Sequence, residues 1–526
     1  MDSINMVKHA HHSLEDEVDE PSPVKDCRDL GTHSDHNDMN RMGKVQEFKR
    51  NLRPLAALSF ASVLQATWEF ILISNSQVLE NGGMAGFVWT YIWTFVGFGF
   101  IIASLSEMAS MQVAPTSGGQ YHWVSEFASA RYQRALSYIT GWMSVLAWQA
   151  GAASGSFLTG TIIQGLITVR DPSYAPKTWR GTLLVFSMIL LIYVFNVYAA
   201  RWVSPIQNIL LALHILCWVV AVTVLWAMGP RQDAKMVFTE FSSSAGWSNM
   251  GVALMIGQLS AIYGSLSSDA TAHMSEEVRD ASRYVPLAIA WGYIVNGILA
   301  FVVLITLLFA MPSVDAALND PTGFPFIYVF KQAVSPTGVN GLSAIVLIPV
   351  IFSNILFNAS TARQTYAFAR DRGLPFADWI SKVHPTRRIP VNAIGLSCII
   401  SGLLSLINIG SDTAFNAIIS LNVAALMWTY AVSISCMVYR KLLYPETLPT
   451  PRWTLGRHGI WVNLVALAYV AFALFWSFWP TQVPVTRDNF NWSVVLFVGN
   501  FAISVVMYIV KGRKEYRGPV VDVKRT

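Results

Sequence analysis

Charge is what this chain has least of. Only 13% of its 526 residues are Asp, Glu, Lys or Arg, about half the share usual in a globular protein. That is too little to clothe a string of soluble domains, and a disordered chain would need more charge still. Cysteine is scarce as well: Cys27 lies in a polar segment, and Cys217, Cys398 and Cys436 lie inside apolar runs. No disulfide framework is implied. The chain has no G-x-x-x-x-G-K-[ST] phosphate loop, which argues against an ATP-driven pump. His384 and His458 fall between apolar runs, so the late intramembrane histidine of an intramembrane serine protease is missing. An enzyme is not expected, and no cofactor is called for.

What the chain has in abundance is apolar surface. Hydrophobic residues make up 53% of it, with 19 Trp, 29 Phe and 18 Tyr, and the mean hydropathy is +0.44. Most of that surface must face lipid. From residue 55 onward, runs long enough to cross a bilayer recur near 55–80, 84–112, 131–166, 181–200, 203–229 and 248–272. The second set lies near 285–311, 337–368, 390–410, 412–439, 459–479 and 491–511. Twelve spans follow, each helical, because an unpaired backbone is too costly in lipid. The expected organisation is a polar N-terminal tail (1–54), a membrane domain (55–511) and a short C-terminal tail (512–526).

Residues 1–54 contain no continuous apolar run, so a cleavable secretory signal is not expected. The segment reads as a disordered regulatory tail, with Lys25 and Lys44 as candidate modification sites. His9, His11, His12, His33 and His36 are too irregularly spaced to suggest a metal site. The formal charge of +5 is unevenly placed: residues 1–54 hold 8 Lys/Arg against 11 Asp/Glu. The basic excess therefore sits in short loops, where it orients spans and does not mark a nucleic-acid surface. With both termini in the cytosol, inner loops and the C-terminal tail hold 21 Lys/Arg and outer loops seven. That threefold bias predicts cytosolic termini. A sequon at Asn491–Ser493 then faces outward but abuts the twelfth span, too close to the membrane for glycosylation.

Three spans are not ordinary apolar helices. In the sixth, Gly257 and Gly264 alternate with Ser260, Ser265, Ser267 and Ser268, and Asp269 follows. Small residues serve close helix packing, but glycine also weakens a helix and serine satisfies backbone groups that a break releases. The adjacent charge favours a discontinuous helix that binds a solute or ion. In the first span Ser62, Gln65 and Glu69 share one face, with Trp68 beside them. A mid-span carboxylate is either hydrogen-bonded to a neighbouring helix, or it serves as a counter-charge or proton carrier. In the eighth, Asn354, Asn358 and Thr361 form a polar stripe, either glue between helices or ligand contacts. Gly151, Gly155, Ser156 and Gly160 of the third span are a packing face, with Gln149 and Trp148 before it. His214 in the fifth reads as a hydrogen-bonded interior residue.

Three segments resemble signatures of the amino acid–polyamine–organocation (APC) superfamily, most of all its fungal branch of amino acid, choline and GABA permeases. They are SLSEMASMQVAPTSGGQYHWVSEFA (104–128), DATAHMSEEVRDASRYVP (269–286) and ASTARQTYAFARDRGLPF (359–376), each following a span. The resemblance implies a five-plus-five inverted repeat of leucine-transporter type plus two helices, with helices one and six broken around the substrate. Its first break maps to Ser59–Thr67, where many relatives carry glycine and this chain reads SFASVLQAT. It implies a secondary transporter of a small amine-bearing solute, with the proton as coupling ion, in the plasma membrane or the vacuolar membrane. The expected substrate-binding residues are Ser62, Gln65, Trp68, Glu69, Gly257, Ser260, Tyr263, Gly264, Asn354 and Asn358. Glu69 and Asp269 are the candidate proton carriers. Glu107, Glu276, Glu277, Arg279 and Arg363 are expected to form a cytosolic gate. A transporter of an alkaloid-like metabolite and a non-transporting nutrient sensor on the same fold remain open.

Overall fold

A computed structural model describes residues 31–41, 46–111, 116–171, 173–409, 414–487 and 489–519. His9, His11, His12, Lys25, Cys27 and Lys44 lie outside them. Among the described residues the chain is all helix, with only two isolated β-bridges. Ten helices are long and apolar enough to cross a bilayer, and two shorter apolar ones, Met250–Ser265 and Val391–Ser405, complete the twelve. Their outer faces carry rows of exposed Trp, Leu, Ile and Val, such as Trp89, Trp93, Leu190, Ile209 and Val498, as lipid contact requires.

The first span is two helices, Pro54–Gln65 and Thr67–Ile73, parted at Ala66, which adopts a left-handed conformation (φ 43°, ψ 43°). A Cβ there costs roughly 1–2 kcal/mol, so surrounding packing must hold it; Ala66 is fully buried. The sixth span runs helically through Met250–Gly257 and Leu259–Ser265 and then breaks. Leu266 is extended (φ −63°, ψ 168°) and Ser267 has φ 67°. The Ser268 hydroxyl donates to the Ser265 carbonyl (3.1 Å), one of the groups the break releases. The break thus lies where the serine density predicts it. Span one leaves the face on which residues 46–53 lie, here called the N-terminal face, and span six returns to it. The two breaks are therefore antiparallel and five spans apart, as an inverted repeat of five requires.

The boundary between the first two spans differs from the sequence expectation. The first ends at Ile73 and the second starts at Ser76. The apolar run continues through the turn, which Asn75 stabilises by donating to the carbonyls of Leu72 (2.9 Å) and Ile71 (3.4 Å). Gly82–Gly83, which fall between the expected spans 55–80 and 84–112, instead lie inside a 35-residue helix kinked at Gly83 (φ 64°, ψ −156°). A Cβ at Gly83 would stand 2.2 Å from the Ser242 hydroxyl, so the kink needs glycine.

Residues 31–41 and 46–54, part of the segment expected as a disordered tail, make defined contacts with the membrane domain. His33–Arg41 is helical, and Phe48, Arg50 and Leu52 are buried. Leu52 pairs with the loop after span six: its N–H donates to the Glu277 carbonyl (2.9 Å) and its carbonyl accepts from Arg279 N–H (3.0 Å). Arg50 donates to the Ser275 and Val278 carbonyls (2.9 and 2.6 Å) and stands 3.2 Å from Asp35. Asp35 in turn accepts from the N–H groups of Asp280 and Ala281, where the seventh span begins (2.8 and 3.1 Å). Composition alone misses this because the partners are backbone groups far along the chain.

Candidate functional site

Between the two breaks lies a narrow buried pocket. Gln65 and Phe70 come from span one, Tyr263, Leu266 and Ser267 from span six, Gly151, Ser154 and Gly155 from span three, Asn354 and Phe357 from span eight, and Asn422 from span ten. Gly155 brings the third span close enough for Asn354 to donate to its carbonyl (2.8 Å). Tyr263 and Ser154 share a hydrogen bond (2.9 Å), and the Tyr263 ring meets Phe70 edge-on, centroids 5.5 Å apart. The lining is therefore amides, hydroxyls and aromatic faces, with no charged side chain.

One turn from Tyr263, Ser260 lines a larger cavity on the opposite face, with a volume of about 290 Å³. Gln77, Thr161, Gln164, Phe324 and Asn416 surround it. The N-terminal face is closed instead. Glu276 is fully buried and bidentate with Arg370 (2.9 and 3.1 Å), and it also accepts from Ser117 N–H (3.1 Å). Glu277 pairs with Arg363 (2.7 Å), and Glu107 with Lys441 (2.5 Å). Asp269 accepts from Tyr430 (2.8 Å) and from Gln120, tying spans six and ten to the short helix Gln120–Phe127. The expected gate acids Glu107, Glu276 and Glu277 thus find cations from spans eight and ten. Arg279 does something else: its Nε donates to the Arg50 carbonyl (2.8 Å), holding the N-terminal segment.

The expected substrate residues divide. Gln65, Tyr263 and Asn354 line the pocket, and Ser260 the outer cavity. Gly257 packs against Val78 and Asn81, and Gly264 against Ile71, so both serve helix contact. Asn358 approaches Cys398 (3.9 Å), and Thr361 donates to the Trp148 and Phe357 carbonyls; this half of the stripe joins helices. Gln149 donates to Thr365 and Ser397. The sequon's Asn491 is buried, its amide donating to the carbonyls of Ser477 and Trp479 (both 3.0 Å).

Glu69 turns away from the pocket. It is fully buried, and its Oε1 lies 2.7 Å from Nδ1 of His214 in span five. His214 Nε2 lies 3.2 Å from Oδ1 of Asn296 in span seven. That amide's orientation follows from its other bonds, since its Nδ2 donates to the Ser62 carbonyl (3.1 Å) and to Gln65 Oε1 (3.3 Å). Nε2 must therefore carry a proton to donate. Nδ1 and Glu69 Oε1 face each other at hydrogen-bond distance, a contact that needs a proton on one of the two. Trp68 Nε1 is 3.2 Å from the same Nδ1. Gln65 closes the chain by donating to Ser268 in the other break (2.8 Å). One network thus runs from Glu69 through His214, Asn296 and Gln65 to both breaks. Ser62 and Trp68 belong to this network and not to the pocket. Its key partners, His214 and Asn296, are lone polar residues in apolar spans; only Glu69's need for a mate signals them.

Residues 51–500 match the family described as amino acid permease. An uncharacterized amino-acid permease of Schizosaccharomyces pombe is 30% identical, over 90% of this chain and 88% of its own. A choline transporter of Saccharomyces cerevisiae is 29% identical, over 86% and 80%. Amino-acid permease 2 of Neurospora crassa is 25% identical, over 90% and 87%.

Proposed function

Because the chain belongs to the amino acid permease family, and so is a multi-pass membrane transporter of amino acid type, we propose that it moves a small amine-bearing solute by proton-coupled alternating access. The observation that supports this reading is the pocket enclosed by two antiparallel helix breaks, open space on one face and ion pairs across the other. Amides and hydroxyls of Gln65, Ser154, Asn354 and Asn422 suit a carboxylate or hydroxyl. Backbone carbonyls at the breaks and the faces of Phe70, Tyr263 and Phe357 suit an ammonium, each aromatic contact being worth about 0.5–2 kcal/mol.

With no carboxylate in the lining, Glu69 is not the substrate's counter-charge. The pair Glu69–His214 is the proton carrier: it holds one exchangeable proton in a dry site, and Gln65 joins it to the pocket. Asp269, bound to Gln120 and Tyr430, acts in closure of the N-terminal face. Opening that face requires the pairs of Glu107, Glu276 and Glu277 to separate while the Phe70–Tyr263 side closes. The aromatic lining and the yeast choline transporter's similarity favour a quaternary ammonium as a second substrate reading. The loop-charge bias supports cytosolic termini, and the plasma membrane is the proposed location.

Uptake of a labelled panel of amino acids, GABA, polyamines and choline by permease-deficient yeast expressing the chain tests the reading. At least one member should accumulate above the empty-vector level, and Tyr263→Ala should abolish it. A surface-delivered protein that accumulates none of them would instead support a sensor or a metabolite carrier.

A further inference from the structure

A second polar site lies on the N-terminal face, apart from the substrate pocket. It is a depression walled by Lys49 and Asn51 of the N-terminal segment, Val197, Tyr198 and Ala200 where spans four and five meet, and Thr386–Ile389 before span nine. Its floor is the ion pair Glu277–Arg363. We propose that this depression binds the phosphate headgroup of an anionic membrane lipid.

Three guanidinium groups, those of Arg363, Arg387 and Arg388, line the depression with a single acid, Glu277, which Arg363 engages. Arg363 is 95% buried, yet only Nε and Nη1 are used, on Glu277 (2.7 Å) and the Ala359 carbonyl (3.2 Å). Its Nη2 has no partner among the described residues and belongs to a side chain that lines the depression. The Arg388 guanidinium likewise has no partner among them. Arg387 is pre-oriented, stacked 4.6 Å above the Tyr198 ring with Nη1 on the Val197 carbonyl (3.4 Å). Guanidinium forks of this kind match phosphate oxygens in pairs, and among the described lining residues Glu277 is the one carboxylate.

The source of the phosphate follows from depth. Tyr198 and Trp202, at the elbow of spans four and five, are 61% and 55% exposed. Aromatic side chains left open at the end of a membrane span mark the level of the headgroups. Basic pockets at that level on the cytosolic side attract anionic lipids. The apolar wall of Val197, Ala200 and Ile389 suits the glycerol end of the lipid. Occupancy would join the N-terminal segment, the gate pair and the span eight–nine loop, so a bound headgroup holds the N-terminal face closed. The site rests on the membrane setting and on the proposed cytosolic placement of the N-terminal face, and it stands whether or not the solute is an amine.

The test uses the purified full-length protein in phosphatidylcholine nanodiscs carrying phosphatidylinositol 4-phosphate, with lipid retention read by native mass spectrometry. Wild type should retain the phosphoinositide over phosphatidylcholine. Removing two basic groups in Arg387→Gln/Arg388→Gln should weaken retention about thirtyfold, about fivefold for each. Lys514→Gln, at a second basic depression where Asp371 and Glu515 offset the charge, should change it little. Arg388→Gln alone covers the case in which the double variant fails to fold, because that side chain supports nothing else; about fivefold is expected. Equal retention by wild type and the Arg388 variant overturns the site. Inorganic phosphate binding to lipid-free protein as tightly as the phosphoinositide overturns the lipid assignment.

Discussion

Glu69 and His214 offer the sharpest perturbation. Both are buried, 2.7 Å apart, and bonded to three helices between them. His214→Ala strands the carboxylate without its base, and breaking one side of a buried pair costs roughly 3–5 kcal/mol. Glu69→Gln is gentler, because the new amide can donate to Nδ1 of a neutral imidazole and keep the geometry. Its cost should be near one hydrogen bond, about 1 kcal/mol. The double variant Glu69→Gln/His214→Gln should be more stable than His214→Ala alone, since no charge is left buried. Thermal unfolding of the purified proteins gives the order. Uptake at external pH from about 4 to about 8, the range in which carboxylates and imidazoles exchange protons, gives the function. Wild-type uptake should rise on acidification, whereas Glu69→Gln should reach the cell surface yet lose that dependence or its uptake. Wild-type uptake with an unchanged pH profile in Glu69→Gln would refute the proton role.

Three further outcomes follow from named positions. Ala66→Gly should raise stability by about 1 kcal/mol in thermal unfolding, because glycine relieves the left-handed Cβ; a loss would mean the methyl's packing outweighs the strain. Gly155→Ala places a Cβ 1.7 Å from Asn354 Oδ1 and should dislodge that amide, raising the uptake KM about tenfold for one lost hydrogen bond; an unchanged KM would remove Asn354 from the site. Arg50→Met should lower stability by about 2 kcal/mol by removing its bonds to the Ser275 and Val278 carbonyls and its charge beside Asp35; no loss would mean the N-terminal segment is not docked.

The sequence carries the fold further than the site. Long apolar runs fix twelve spans because lipid leaves the backbone no alternative to helix. Serine and glycine between 257 and 268 mark a break because they are poor helix interior and good backbone partners. Ala66 gives no such signal, since alanine is a strong helix former, and only tertiary packing imposes its conformation. The pocket is half legible. Gln65, Tyr263 and Asn354 stand out as polar groups in apolar helices, whereas Phe70, Phe357 and Leu266 look like any lipid-facing residue. Glu69 is conspicuous but misleading: its charge suggests substrate contact, and only three-dimensional neighbours reveal that His214 and Asn296 take it up. Arg50 and Asp35 are invisible in a polar tail because their partners are backbone groups more than 200 residues away.

The most direct measurement reconstitutes the purified chain in proteoliposomes with the solute found in the uptake panel. An inward, acid-outside pH gradient should drive accumulation above equilibrium, with solute entry accompanied by measurable proton entry. A protonophore should collapse it, and Glu69→Gln should leave at most equilibration. Accumulation that is unaffected by the protonophore, or solute exchange without proton movement, would contradict a proton-coupled carrier built around the two broken helices.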